Sequence, residues 1–270
     1  MRRIIAAMSP EPLRVYWQPG CTSCLRTKEF LDRRGVAYQS INVLADPAAF
    51  AELARLGARS VPVVARGEQF VFAQELSEVA RFVGVPYAAE RLPIEQLVAR
   101  LDRLLLAAAE LVASFPDARI RETIPSRPRS FADVAFHVGM IVQGFLDAAD
   151  PQRHGELRYE HFERTPAPEM VGAVPLAGWL QQCRSDLDAW WRRGDPLALR
   201  GEVRTYYGVR ALHEVLERSA WHVAQHCRQL DFIAVTILKC QSEARVTGEL
   251  LQGLPVPEDV WDREIGAWPS

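Results

Sequence analysis

Val15-Tyr16-Trp17-Gln18-Pro19-Gly20-Cys21-Thr22-Ser23-Cys24 is the stretch from which the fold is read. The apolar run Leu13 to Trp17 is strand-like, Pro19-Gly20 turns the chain, and two cysteines follow with two residues between them. A helical pattern starts at once, with Leu25, Phe30 and Leu31 as its apolar positions. This spacing puts Cys21 at the helix N-terminus and Cys24 about one turn further in. Unpaired backbone N–H groups and the positive end of the helix dipole favour a thiolate on Cys21, and Arg26 and Lys28 add positive charge nearby. Strand, turn and CxxC therefore read as a dithiol device in which Cys21 attacks and Cys24 resolves. A CxxC is also half of a zinc site, but no second Cys/His pair lies within the first ninety residues.

Outward from that stretch, helix Thr22 to Arg34 ends at Gly35 and Val36 to Val43 is a strand candidate. Asp46-Pro47 opens a second helix running to about Leu56, with Asp46 as N-cap and Pro47 at the first helical position. Ser60 to Val64 is a strand containing Pro62, Gln69 to Phe72 is its hairpin partner across Arg66-Gly67, and Glu75 to Val83 is a helix. The order β-α-β-α-β-β-α makes a layered α/β unit with a central four-stranded sheet.

On Cys21-Thr22-Ser23-Cys24 and Ser60-Val61-Pro62, the segment from about Leu13 to Val85 resembles a glutaredoxin of the thioredoxin superfamily. The resemblance implies a cis proline at Pro62 lying against the active-site cysteine. It also implies thiol-substrate binding around Val61, Pro62, Gln74 and Glu75, with glutathione or a similar low-molecular-weight thiol as currency. Gln18 stands where many members carry lysine, and Val71-Phe72 replaces a Gly-Gly pair, so fold and dithiol chemistry carry over better than glutathione specificity.

The domain boundaries read as 10–86 for the redox unit, 87–94 for a linker between Pro86 and Pro93, and 95–270 for an all-helical part. Gln96 to Phe115, Phe131 (capped by Ser130) to Ala149, Leu176 to Arg193, and Val209 to about Lys239 are the long helices expected of a four-helix bundle. Pro151 to Val174 reads as a long polar connection, Gly201 to Gly208 as extended, and Leu251 to Trp268 as a tail with short-range structure. In the last helix, His222 and His226 are four apart and so share a face, about 6 Å apart along the axis. His137 lies on or beside the inward face of the second helix, with Val134, Ile141 and Phe145. One imidazole from one helix and a pair from another can make a three-nitrogen metal site with open positions; a lone HxxxH arises by chance and a lone His137 is more often a hydrogen-bonded core histidine, but their joint placement is the stronger signal in a chain with 6 histidines. His154 and His161 fall in the polar connection and read as solvated, and Cys183 and Cys240 as buried fillers.

Residues Ser130 to His137 and Leu212 to Leu230, with Trp221-His222 and His226, make the region from about Pro93 to Trp261 similar to the DinB/YfiT-like four-helix bundles. That resemblance implies a divalent metal (zinc, nickel or iron) on His137, His222 and His226, and the thiol-dependent transferases among the relatives imply a metal-activated thiol. The combined expectation is a thiol-disulfide oxidoreductase joined to a metal-dependent thiol transferase or hydrolase. The alternative is a redox sensor or adaptor in which the CxxC state controls metal or partner binding.

Apolar content of 49%, charged content of 24% and a net charge of −2 describe a globular chain with no pull toward nucleic acid or an anionic membrane. Five cysteines in 270 residues do not make a disulfide scaffold, and the apolar stretch within Met1 to Met8 is too short for a secretory signal. A cytoplasmic protein, with a small thiol or a protein disulfide as partner and a homodimer through the bundle as an option, is expected.

Overall fold

The computed structural model describes residues 11–88, 90–150, 152–194 and 201–268, so the reading of Met1 to Met8 lies outside the described residues. The chain divides into two compact units, residues 1–88 and 89–270.

In the first unit the order is β1 (Arg14–Trp17), α1 (Thr22–Arg33), β2 (Gln39–Asn42), α2 (Pro47–Leu56), β3 (Val63–Arg66), β4 (Gln69–Phe72) and α3 (Leu76–Val83). The four strands form one mixed sheet ordered β2-β1-β3-β4, with β1–β2 parallel and the other two pairings antiparallel. This is consistent with a thioredoxin-like fold. Alternation along the strands divides the core between the two faces of the sheet. Leu13, Val15 and Val64 pack with Phe30 and Leu31 of α1 and Val79 of α3. Tyr16, Val63 and Ala65 pack with Ala49 and Leu53 of α2. Two elements are shorter than expected: β2 starts at Gln39 rather than Val36, and β3 starts at Val63, after Pro62. Proline has no N–H for the ladder, so pairing begins beyond it.

The second unit is mainly helical. Its long helices are α4 (Ile94–Ala113), α5 (Phe131–Ala149), α6 (Ala173–Arg193) and α7 (Leu212–Phe232). Helices α4 and α5 each pack against both α6 and α7. Leu97, Leu101, Leu104, Leu105 and Leu111 of α4 are buried along one stripe at helical spacing. Helix α5 is long and apolar enough to cross a membrane by composition, yet 89% of that window is buried inside the protein, which accounts for its apolarity. Close approach of α5 and α6 depends on Gly139, where an added Cβ would lie 2.2 Å from Nε1 of Trp179. That indole N–H donates to the Phe136 carbonyl at 3.2 Å.

Two expectations for this unit are corrected. The connection after α5 holds strand β5 (Glu156–Leu157), which pairs in parallel with β6 (Glu202–Thr205), itself antiparallel to β7 (Gly208–Ala211). Because β7 occupies residues 208–211, the last long helix begins at Leu212 instead of Val209, and it passes into a π-helical turn, Ile233–Ile237. The segment after the short α8 (Gly248–Leu251) has little regular structure, but it is strapped to α7. The Gln225 amide donates to the carbonyls of Asp259 and Val260, and Arg228 donates to those of Pro257 and Glu258.

Candidate functional site

Cys21 is the N-cap of α1, with extended backbone, and its Sγ accepts from the Cys24 N–H at 3.2 Å. The two cysteines are joined in a disulfide, with Cα atoms 5.2 Å apart. Cys21 keeps part of its surface open while Cys24 is fully buried, the asymmetry expected of an attacking and a resolving sulfur. Lys28 stands over the Trp17 ring, 4.0 Å from its centroid, and is buried there rather than solvated beside the thiols. The Val61–Pro62 peptide bond is cis. The Gln74 amide donates to the Val61 carbonyl at 3.4 Å, which places Gln74, Val61 and Pro62 together, and Glu75 is the N-cap of α3.

In the second unit, α5 and α7 bring His137, His222 and His226 together. One ring nitrogen from each lies within 4.8 Å of the other two. The centre of such a triangle is roughly 2.8 Å or less from each nitrogen, so small ring rotations reach the zinc–nitrogen bond length of about 2.0–2.1 Å. The ring centroids are 5.0 Å apart for His137–His226, 5.5 Å for His137–His222 and 5.0 Å for His222–His226. Capping fixes the start of α5: Ser130 Oγ accepts from the Asp133 N–H, while the Asp133 carboxylate accepts from the Ser130 N–H.

Burial holds all three imidazoles well below the usual histidine value. Arg129 adds to this at His137 and His226, and Arg218 followed by His226 and Arg129 adds to it at His222. They are therefore neutral, with lone pairs available. Nδ1 of His226 lies 2.7 Å from Oε1 of Gln229, whose amide nitrogen donates to the Val260 carbonyl at 3.3 Å. With its oxygen turned to the ring, Gln229 requires the proton on His226 Nδ1 and leaves Nε2 with the lone pair. Nδ1 of His222 is buried and has no hydrogen-bond partner among the described residues. Three neutral imidazoles, one with its tautomer fixed from behind and one with an orphaned nitrogen, fit a divalent transition metal.

Sequence reasoning missed several residues around this cluster. Gln229 is three residues after His226 on the same helix face, a signal available in the spacing. Arg127, Arg129 and Arg218 carried no such signal. His161 is held, contrary to expectation: Nε2 lies 2.9 Å from the Met140 carbonyl and Nδ1 3.3 Å from the Asp147 carboxylate. His154 is exposed. Cys183 is buried, and burial pushes its thiol up to about 12, whereas Cys240 is only half-buried. Cys227 Sγ faces the Leu104 carbonyl at 3.5 Å, away from the histidine cluster.

No curated protein and no solved structure matches the chain. A family model, described as Glutaredoxin, matches residues 13–71. The N-terminal unit thus contains a glutaredoxin domain carrying the Cys21–Cys24 pair.

Proposed function

We propose that the protein is a thiol enzyme with two centres: a disulfide exchanger in the first unit and a metal-dependent thiol transferase or hydrolase in the second. The observation that carries the first half is Cys21 at the mouth of α1, half-open and bonded to a buried Cys24. In the reduced form the Cys21 thiolate attacks one sulfur of a substrate disulfide, forming a mixed disulfide and expelling the other sulfur as thiolate. Cys24 then attacks Cys21 Sγ, releasing the second substrate thiol and leaving the Cys21–Cys24 disulfide. Two electrons have passed to the substrate, and two equivalents of a small thiol such as glutathione, oxidised to its own disulfide, restore the dithiol.

The second unit is read as a DinB-like four-helix bundle, supported by the pairwise packing of its four long helices and by the histidines on α5 and α7. His137, His222 and His226 would hold zinc, nickel or iron. A metal there supplies Lewis acidity that lowers the pKa of a thiol or water. Gln229 orients His226, and the enclosing helices limit access of bulk water.

The test is reduction of a mixed glutathione–peptide disulfide together with elemental analysis of the purified protein. Wild type is active, Cys21→Ser loses at least about 100-fold, and Cys24→Ser accumulates the mixed disulfide by mass spectrometry. Stoichiometric metal disappears in His222→Ala. An inactive wild type sinks the first half, and wild-type protein without metal sinks the second.

A further inference from the structure

The surroundings of the three histidines are strongly cationic. Arg218, His222 and His226 recur every four residues along one face of α7. The Arg218 guanidinium donates to the Tyr206 hydroxyl at 2.9 Å and lies over the rings of Tyr207 and Phe162, 5.3 and 6.0 Å from their centroids. The Phe162 ring is in turn 5.9 Å from that of His137, so an aromatic wall joins Arg218 to the metal-ligand candidates. The loop Arg127-Pro128-Arg129 leads directly into the N-cap of α5 and is pinned by Arg129 N–H to Arg127 O at 2.8 Å and by Ile124 N–H to Arg129 O at 3.0 Å.

All three imidazoles feel Arg129, and His137 and His226 also feel Arg127. Burial brings Arg129 down to about 9, so it stays charged at neutral pH. Its guanidinium makes no hydrogen bond or ion pair among the described residues. Asp133, the acid that both arginines feel, is committed to the cap of α5. Arg127, Arg129 and His137 are half-buried, whereas His222 and His226 are buried, so the cluster is reachable from the side of the first three. Cations gathered around a cation site repel one another unless an anion sits among them, and the guanidinium fork fits a carboxylate or phosphoryl group.

We infer that the three-histidine site takes a substrate bearing an oxyanion, a carboxylate or phosphoryl group, seated on Arg129 beside the metal position, with Arg127 and Arg218 raising the positive potential around the histidines. The inference rests on the metal-site reading proposed above, and its test separates the two.

Full-length protein is loaded with Co2+, and its d–d absorption is followed during titration with inorganic phosphate and, separately, acetate. Wild type gives a saturable spectral change with at least one of them. Arg129→Gln raises the apparent Kd for that anion at least tenfold while Co2+ affinity is unchanged or increases, because a neighbouring positive charge is gone. Arg129→Lys, which keeps the charge without the fork, recovers part of the anion affinity. Unchanged anion binding in Arg129→Gln, or joint loss of anion and Co2+ affinity, overturns the inference. If Co2+ does not bind wild type, the metal reading falls by itself. Calorimetric titration of metal-free protein with phosphate then judges the arginines: a tenfold weakening in Arg129→Gln supports them, and equal binding overturns them.

Discussion

The amide of Gln229 decides where the proton of His226 sits, because its own nitrogen is committed to the Val260 carbonyl. Removing it leaves the three histidines in place but frees the ring to rotate and to change tautomer. Gln229→Leu is therefore expected to weaken metal binding about 10- to 100-fold, with little change in far-UV circular dichroism. Competition against a chromophoric chelator measures this; equal affinity would assign Gln229 to packing alone. At this scale the sequence shows those residues whose chemistry lies in their spacing, as with Cys21 and Cys24 or His222 and His226. It does not show Arg129, whose character comes from its effect on His222 and His226, residues far later in the chain. His161 misleads for the same reason: it lies in a polar stretch, yet Asp147 and the Met140 carbonyl draw it in.

Helix α5 carries His137 and makes two separable demands on its neighbours. Against α6 it needs Gly139, since a methyl group there would overlap Trp179. Gly139→Ala is expected to cost about 1–3 kcal/mol despite the better helix propensity of alanine, read as a lower thermal midpoint. Near its C-terminal end, Asp147 faces His161, Arg153 and His154. Burial alone would raise its carboxyl, but these donors outweigh it and hold the group below the usual aspartate value. The stability this contributes is fully present above the unfolded pKa, near 3.9, and is lost as pH falls through the lower folded value. Asp147→Asn should therefore destabilise the second unit by roughly 1–3 kcal/mol at neutral pH, with the gap to wild type closing below about pH 4 in chemical denaturation. The limits of α5 were legible because Ser130 and Asp133 form a local capping signal. Strand β5 was not, because its two residues pair with a strand nearly fifty positions later and leave no local periodicity.

Each of the two units has its own buried core, one built on a sheet and one on long helices. Composition and the change of texture near Pro86 to Pro93 made this division readable, since alternating and helical patterns differ over tens of residues. If both centres are enzymatic, metal content measured with the dithiol reduced and with it oxidised should agree within about a factor of two. A metal released on oxidation would instead establish the sensor reading. The segment Pro257 to Val260 bears on the same centre, since it is fastened to α7 by Gln225, Arg228 and Gln229. Removing that strap would leave the Gln229 side chain without its anchor and so loosen a centre the strap never touches.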